Sequence, residues 1–353
     1  MKTNLALTLA PALPRAPAAA PPPSVPRPRT PLVFQDRFDP VEALGETKAG
    51  RPFAMGRDGF VALGPTGQVV AGQAPTARVR QRDVHAGPLD PLFDTLGKGK
   101  KRDVHFQMPG GAGFDTRSNG DGMARMPLDA LGRADLHSGV DPRRGGVVSL
   151  DVSTPRGDGD ESNVLVLPRD YDGPIFISDI DDTLRDTNPG DLATGHTQKP
   201  IDGAQDLLQS VADRGVPIVY LSAGPDRIRP QNEDFLGQLP RGILLDRDHL
   251  GLRDLLPFGQ AETQGDYKAG VIEQLKQAYP NAKLFGLGDD KYGDAMAYTR
   301  EGARSYIHDV IPGDAHIPSG FDGVITRDYT PEFRARVGAD LDEVIARSRS
   351  FHE

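Results

Sequence analysis

Short apolar runs alternate with segments of helical periodicity in the second half of the chain, and this alternation constrains the fold more than any other feature. From Asp170 onward, each apolar run has the length of one strand and is followed by a polar or amphipathic stretch. Short, nearly continuous apolar strands between helices predict a mostly parallel α/β sheet with helices on both faces. The predicted strands are Ile175–Asp179, Val216–Ser222, Gly242–Leu245, Lys283–Leu287, Ser305–Ile307 and Gly323–Thr326.

Three of the intervening segments carry apolar residues at helical spacing, namely residues 203–215, 267–279 and 330–346. The last segment begins with Thr330, a good helix N-cap, and Pro331 follows at the first helical position. In open parallel α/β sheets, ligands bind beyond the carboxyl ends of the strands. Functional side chains are therefore expected at those strand ends.

Residues 31–168 are rich in glycine and proline and contain few helical periods. Their short alternating runs predict a small β-sandwich-like accessory domain. Within it, Asn119–Gly122 is predicted to be a hairpin turn rather than a calcium loop, because the spaced acidic ligands and the terminal Glu of such a loop are missing. The predicted strands are Asp58–Gly64, Gln68–Gly72, Thr76–His85, Arg102–Met108 and Gly146–Ser153.

Composition therefore predicts three parts: a tail over residues 1–30, the β-rich domain over 31–168 and an α/β domain over 169–353. The tail is rich in proline and alanine and is predicted to be disordered. A secretory signal is the alternative, but Pro11 and Pro14 interrupt the apolar stretch that such a signal needs. We expect a cytoplasmic or peripheral membrane protein, with export as the alternative.

Charge and cysteine content exclude several kinds of partner and site. The formal net charge is −9 and no basic stripe interleaved with aromatic residues occurs, so no nucleic-acid partner is expected. The lack of cysteine excludes disulfides, zinc–thiolate sites and cysteine nucleophiles. No apolar run approaches the roughly 18 residues that a transmembrane helix requires.

The first strand of the α/β domain ends in an acidic cluster formed by Asp179, Asp181 and Asp182. Carboxylates this close raise one another's pKa unless a cation joins them. Oxygen ligands without cysteine or clustered histidine favour Mg²⁺. The alternative is a simple helix N-terminus, since Asp182 and Thr183 are good capping residues.

Two further strand ends and one lysine complete the pattern. Ser222 follows an apolar strand and could bind phosphate with its hydroxyl and the backbone N–H groups after it, or simply cap a helix. Lys268 is predicted to open a helix and is either a phosphate ligand or an ordinary surface lysine. Asp289, Asp290 and Asp294 follow a third strand, so acidic residues gather at a second strand end. Capping alone explains this combination poorly.

These residues resemble a known set of motifs. Asp179–Thr183 resembles the D-x-D-x-T motif of the haloacid dehalogenase (HAD) superfamily of phosphatases and phosphotransferases. Ser222, Lys268 and the sequence Gly288–Asp294 have the order and spacing of the other three motifs of that superfamily. Over roughly residues 170–310, stretches such as "ISDIDDTL" and "YLSAGP" also resemble the catalytic domain of the actin-patch-type phosphatidate phosphatases.

The resemblance implies a role for each matching residue. Asp179 would attack phosphorus and form an aspartyl-phosphate, Asp181 would act as general acid and then general base, and Thr183 would brace the loop through a hydrogen bond. Asp182 is assigned to helix capping and Asp290 to the surroundings of the site. The implied phosphate-binding residues are Ser222, Ala223 and Lys268, and the implied Mg²⁺ ligands are Asp179, the backbone carbonyl of Asp181, Asp289 and Asp294.

The substrate follows less directly from the sequence. The family usually has Gly-Asp-Ser-Gly where this chain has Gly288–Lys291, and Asp226 replaces a usual aromatic residue. Few residues separate the first motif from the helix at Gly203, so no separate cap domain is expected, and an open site suits a bulky lipid phosphate such as phosphatidate. A soluble phosphomonoester, a phosphoprotein, phosphotransfer to an alcohol, and a non-catalytic adaptor are the alternatives. The sequence does not identify a partner of the β-rich domain.

Overall fold

The computed structural model of the chain describes residues 52–81, 101–133, 136, 140–155, 159–186, 198–225, 229–247, 260–290, 292–309 and 317–352. The predicted tail over residues 1–30, the end of the predicted strand Thr76–His85, and Asp226 lie outside these residues. Among the helices described, none is long and apolar enough to cross a membrane.

The first part of the described chain is a pair of β-sheets. One has three antiparallel strands in the order β1–β4–β7, and the other has six strands in the order β3–β2–β9–β8–β5–β6. Neighbours in the larger sheet are antiparallel except for β2 and β9, which run parallel. The elements are β1 (Pro52–Arg57), β2 (Gly59–Leu63), β3 (Val69–Gln73), β4 (Thr76–Gln81), β5 (Asp103–Gln107), β6 (Gly113–Arg117), β7 (Met123–Arg125), helix α1 (Leu128–Arg133), β8 (Gly146–Ser153) and β9 (Asp160–Pro168).

The two sheets enclose an apolar core, as expected of a sandwich. Ala54 and Val79 from the small sheet lie in one buried cluster with Phe106, Leu150 and Val164 from the large sheet. The predicted sandwich-like architecture is confirmed. Strand β9 was not predicted; its residues 164–167 are all buried, so it shows a continuous apolar run without the alternation that marks a half-exposed strand.

The turn at Asn119–Gly122 is present, but the prediction of a hairpin is wrong. The Oδ1 atom of Asn119 accepts hydrogen bonds from the backbone N–H groups of Asp121 (2.8 Å) and Met123 (3.0 Å). The turn leads from β6 in the larger sheet to β7 in the smaller one. Its sequence determines the local bend, whereas the sheet that each strand joins depends on packing elsewhere.

The second part of the described chain is a six-stranded parallel sheet in the order β12–β11–β10–β13–β14–β15. The strands progress outward from β10 in one direction, and the chain then returns to the other side of β10 with β13. The carboxyl ends of β10 and β13 therefore flank the switch point where such sheets bind ligands. The elements are β10 (Pro174–Ser178), α2 (Ala204–Asp213), β11 (Ile218–Pro225), α3 (Arg229–Leu236), β12 (Ile243–Arg247), α4 (Gln260–Ala278), β13 (Lys283–Gly288), α5 (Gly293–Arg300), β14 (Arg304–His308), β15 (Gly323–Thr326) and α6 (Pro331–Ile345).

Alternate residues of β10 point to two cores, one on each face of the parallel sheet. Ile175 and Ile177 pack against apolar side chains of α4 and α5, while Phe176 packs against those of α2 and α6. At the start of α6, Thr330 accepts a hydrogen bond from the N–H of Phe333, as a capping threonine does. The predicted fold class, a parallel α/β sheet preceded by a β-rich region, is confirmed.

Helix α4 also packs against the larger sheet of the β-rich region. Phe60 of β2 and Leu165 of β9 belong to the same buried cluster as Ile272 and Leu275 of α4. The hydroxyl of Tyr279, just after α4, lies 2.9 Å from the carbonyl oxygen of Val61 and 3.3 Å from that of Leu165. One continuous core thus crosses the domain boundary that the composition suggests after residue 168, and the division into domains stays a prediction.

Candidate active site

The candidate site begins where β10 and β13 end side by side. The backbone N–H of Asp179 donates to the carbonyl oxygen of Leu287 at 2.8 Å, which extends the pairing of the two strands by one residue. Asp179 leaves the sheet directly after β10, and Asp289 leaves it directly after β13. Residues more than a hundred positions apart in sequence therefore meet at one edge of the sheet.

Three carboxylates converge at this edge. One oxygen from each of Asp179, Asp289 and Asp294 lies within 4.8 Å of the other two. Asp294, in the first turn of α5, is completely buried, and its Oδ2 accepts from the backbone N–H groups of Asp289 and Asp290, each at 3.3 Å. Asp290 itself accepts from the N–H of Tyr292 and lies outside this trio.

Lys268 lies between two of the carboxylates. Its Nζ is 2.7 Å from Oδ1 of Asp179 and 2.5 Å from Oδ1 of Asp294. The sequence places Lys268 at the start of a helix, but α4 begins at Gln260, so this prediction is wrong. The first residues of α4 lack apolar periodicity. The sequence pattern therefore predicts only the second half of the helix, which packs on the sheets.

Burial and repulsion raise the proton affinity of the cluster. Burial raises the pKa of the Asp179 carboxyl to about 7; Lys268 opposes the shift, and Asp294 and Asp181 add to it. Burial and the charges of Asp179 and Asp294 raise the pKa of Asp289 to about 9. Burial opposes the charge on Lys268, but Asp179 and Asp294 outweigh it and raise the pKa of the ammonium.

Thr183 connects the ends of the two strands. Its hydroxyl lies 3.2 Å from Oδ2 of Asp179 and 3.4 Å from Oδ1 of Asp289. Thr183 belongs to a turn in which Asp182 has a left-handed backbone (φ 56°), and the N–H of Asp182 donates to the carbonyl oxygen of Arg185 at 2.8 Å. No helix follows in the described residues up to Asp186, so the prediction that Asp182 caps a helix is wrong. The chain turns back on itself there, since the N–H of Leu184 donates to the carbonyl oxygen of Ile180 at 2.8 Å.

The side chain of Asp181 is not one of the three converging carboxylates and binds Arg185. Its Oδ1 accepts two hydrogen bonds from Arg185, from Nε at 2.9 Å and from Nη2 at 2.7 Å. This carboxylate is about one-third exposed (31%), so it is more accessible to a substrate than Asp179 or Asp294. The predicted role of Asp181 in metal binding concerned its backbone carbonyl, and that role and its predicted role in proton transfer stay predictions.

Ser222 and Ala223 lie on the neighbouring strand β11. Because Ser178 of β10 is in register with Tyr220 of β11, Asp179 and Ser222 emerge at the same edge of the sheet. The Ser222 hydroxyl oxygen accepts from the N–H of Gly224 at 3.1 Å, which leaves the hydroxyl hydrogen for an external acceptor. β11 runs on to Pro225, so the helix expected directly after Ser222 begins only at Arg229 among the described residues.

Several residues around the Asp179–Arg185 turn were not predicted. The ring nitrogens of His308 lie 2.9 Å from the carbonyl oxygens of Asp182 and Arg327. The ring of Tyr329 stacks on His308 at 5.0 Å, and its hydroxyl donates to the carbonyl oxygen of Thr183 at 2.6 Å. These residues hold backbone atoms, and backbone contacts leave no pattern of side-chain types in a single sequence.

Comparison with known protein families adds to this geometry. Residues 175–311 match the model of the family described as phosphatidate phosphatase APP1, catalytic domain. This segment is similar to the APP1 catalytic domain. The predicted resemblance and the predicted enzyme class, a phosphatase of the phosphatidate phosphatase type, are confirmed by this match. The APP1-like domain contains every residue of the candidate site, from Asp179 to Asp294.

Solved structures and curated sequences contribute less. D,D-heptose 1,7-bisphosphate phosphatase from B. bronchiseptica, solved with magnesium and phosphate, is 12% identical over 48% of this chain and 98% of its own, with a TM-score of 0.34. A HAD-like phosphatase from Mesorhizobium loti is 14% identical over 49% of this chain and 88% of its own, with a TM-score of 0.35. Both structures are thus only distantly similar to this chain. No curated protein matches the sequence significantly.

The donor set of the APP1-like domain suits a divalent cation. Asp179, Asp289 and Asp294 supply clustered carboxylate oxygens, which are the ligands that Mg²⁺ prefers. When all three are ionised, Lys268 offsets one of the three negative charges and two remain. A divalent cation matches this balance, because it would offset the repulsion that, together with burial, raises the pKa of Asp289.

Proposed function

We propose that the protein is a Mg²⁺-dependent phosphomonoester hydrolase that acts through an aspartyl-phosphate on Asp179. One observation carries the proposal: the Asp179 carboxylate lies between Lys268 and Thr183, within 4.8 Å of carboxylate oxygens from Asp289 and Asp294. A buried, oriented carboxylate beside a cation and a polarising hydroxyl is the arrangement that a nucleophile requires.

In the first step, an oxygen of Asp179 would form a bond to phosphorus while the ester P–O bond breaks. The departing oxygen needs a proton, which Asp181 would donate once its carboxyl has taken one up. In the second step, Asp181 would accept a proton from water as the water attacks the aspartyl-phosphate, which releases phosphate and regenerates Asp179. Asp181 can serve both steps because its carboxylate is partly exposed and lies outside the buried trio.

Phosphate oxygens would be bound by the Ser222 hydroxyl, by the N–H of Ala223 and by Lys268. Asp179, Asp289, Asp294 and the carbonyl of Asp181 would hold Mg²⁺, which offsets the repulsion between carboxylate and phosphate. Lys268 would keep Asp179 ionised and so nucleophilic, because its ammonium opposes the effect of burial on the pKa of Asp179. Thr183 would hold the Asp179 side chain in its attacking rotamer.

Phosphatidate, or a related lipid phosphate, is the substrate class that we propose. The family match supports it. We expect phosphate release from phosphatidate vesicles in Mg²⁺ buffer, well above release from soluble esters such as glycerol 3-phosphate. Release from soluble esters alone would contradict the lipid assignment, and release only in the presence of an added alcohol acceptor would indicate a phosphotransferase. No release from any ester would favour the non-catalytic alternative.

Mg²⁺ should stabilise the protein more at high pH than at low pH, because the carboxylates of the cluster have raised pKa values. The folded-state pKa values of Asp179 (about 7) and Asp289 (about 9) lie above the ordinary value of 3.8, so the cation-free protein loses stability as pH rises through this interval. Mg²⁺ binds the ionised carboxylates and restores that stability. We therefore expect millimolar Mg²⁺ to raise the melting temperature more at about pH 8.5 than at about pH 6. Equal shifts at both pH values, or a shift that persists in Asp289→Asn, would contradict the site.

A further inference from the structure

A chain of hydrogen bonds connects helix α3 to Asp181. The guanidinium of Arg185, which holds Asp181, is 1% exposed and also donates from Nη2 to Oδ1 of Asn232 at 2.6 Å. Asn232 is completely buried in α3, and Phe235 of the same helix lies under the guanidinium at 5.3 Å. The position of the Asp181 carboxylate is therefore fixed by an arginine that α3 itself holds in place.

The same helix is held at its first residue by the β-rich region. Arg229, 1% exposed and one turn before Asn232, pairs through Nη2 with Oδ1 of Asp58 at 3.0 Å. Asp58 lies between β1 and β2, and its carboxylate also accepts from the N–H groups of Leu244 on β12 (2.6 Å) and Asn163 on β9 (2.8 Å). A single buried carboxylate thus joins α3, the parallel sheet and the larger β-sheet.

A second carboxylate strengthens this connection. Asp246, in register with Ser222 on the neighbouring strand, lies 3.2 Å from Nη1 of Arg229 and accepts from Nη2 of Arg57 on β1 at 2.5 Å. Because both guanidiniums are buried, leaving either carboxylate unpaired would be unfavourable, and the alternatives to the observed arrangement are few. The planar fork of arginine adds directional constraint that a lysine would not.

We propose that the β-rich region positions the acid–base residue Asp181 through α3, with Asp58, Arg229, Asn232 and Arg185 as positioning residues. This inference rests on the proposed function, in which Asp181 protonates the departing oxygen. On this basis residues 52–168 are part of the catalytic machinery rather than only a module for an external partner. None of these four residues needs to contact the substrate.

The test exploits the different needs of two leaving groups. An alkyl phosphate, such as short-chain phosphatidate or glycerol 3-phosphate, must have its departing oxygen protonated, whereas the p-nitrophenolate of p-nitrophenyl phosphate leaves without a proton. The value of kcat/KM reports the steps up to formation of the aspartyl-phosphate, so later hydrolysis does not obscure the comparison. The ratio of the two kcat/KM values is also independent of how much of a variant is folded.

We expect Asn232→Leu to lower kcat/KM for the alkyl phosphate by about 10- to 100-fold, part of the roughly 10²–10⁴-fold that a general acid contributes, and to change p-nitrophenyl phosphate hydrolysis little. Asn232→Asp, which retains an acceptor for Arg185, should restore most of the ratio. At the other end of the connection, Asp58→Asn should shift the ratio in the same direction. Arg229→Lys, which keeps the charge and loses the fork, is a second variant there in case Asp58→Asn does not fold.

Asp206→Asn on α2 is the matched control, since it removes an exposed ion pair with Arg334 of α6 and should leave the ratio unchanged. Equal losses on both substrates in Asn232→Leu, or no loss on either, would overturn the positioning role. A shift in Asn232→Leu that neither Asp58→Asn nor Arg229→Lys reproduces would overturn the part assigned to the β-rich region. Failure of the proposed function looks different: the wild-type protein would release no phosphate, or Asp179→Asn would remain active.

Discussion

Replacing Asp179 with asparagine should lower Mg²⁺-dependent phosphate release by at least about 10³-fold, because the substitution removes the nucleophile while keeping the shape of the side chain. The neutral amide would also remove the partner of Lys268 at 2.7 Å. The measurement is phosphate release in Mg²⁺ buffer, combined with acid quenching of wild-type reactions to detect phosphate attached to protein. Only the wild-type chain should acquire acid-stable, alkali-labile phosphate.

Asp182→Asn is the matched control for this experiment. It makes the same chemical change three residues away, in a position whose left-handed backbone (φ 56°) asparagine accepts readily. Activity within a few-fold of wild type is expected, since Asp182 lies outside the carboxylate trio. Asp179→Asn with substantial activity, or labelled phosphate retained on that variant, would refute the nucleophile assignment.

Lys268→Met should produce the largest change in stability. Lys268 is the buried cation between Asp179 and Asp294, and removing one partner of a buried ion pair typically costs about 3–5 kcal/mol because the remaining charge is left uncompensated. The free energy of unfolding in urea, measured with a chelator present, should fall by about that amount near neutral pH. The loss should shrink at lower pH, as protons neutralise the carboxylates, and Mg²⁺ should restore part of it.

Lys276→Met on the same helix provides the comparison. Lys276 pairs with Glu301 at 3.3 Å but its side chain is 45% exposed, and exposed pairs contribute about 0–1 kcal/mol. Similar losses in the two variants would show that α4 responds to any lysine removal. The inference that Lys268 stabilises the protein as the buried counter-charge of Asp179 and Asp294 would then be wrong.

Strands of both the α/β region and the β-rich region could be predicted where their signals are local. Gly323–Thr326 and Gly146–Ser153 have the predicted bounds, since apolar or alternating runs end at turn residues. β9 could not be predicted in the same way, because cover on both faces removes the alternation that distinguishes a strand. The first half of α4 was missed for a related reason: it lacks an apolar stripe, so its helical conformation leaves no periodic pattern in the sequence.

The candidate site was predictable to the extent that it consists of side chains at strand ends. Asp179 and Asp289 could be predicted to lie close together, because the carboxyl ends of parallel strands meet at the same edge of a sheet. The conformation of Asp182 could not be predicted. Whether this segment caps a helix or forms a left-handed turn depends on contacts from His308 and Tyr329, which lie far along the chain. The bond between Asp181 and Arg185 could not be predicted either, because Asn232, a residue distant in sequence, orients the guanidinium.

The shared core around α4 also has a consequence for biosynthesis. One face of the larger β-sheet, which includes Phe60 and Leu165, is covered by residues up to Tyr279, more than a hundred positions later. While the ribosome is still translating that interval, the nascent N-terminal sheet must present this apolar face to solvent. We expect chaperones to engage the emerging chain during this period, and a chain released before Tyr279 to aggregate rather than fold.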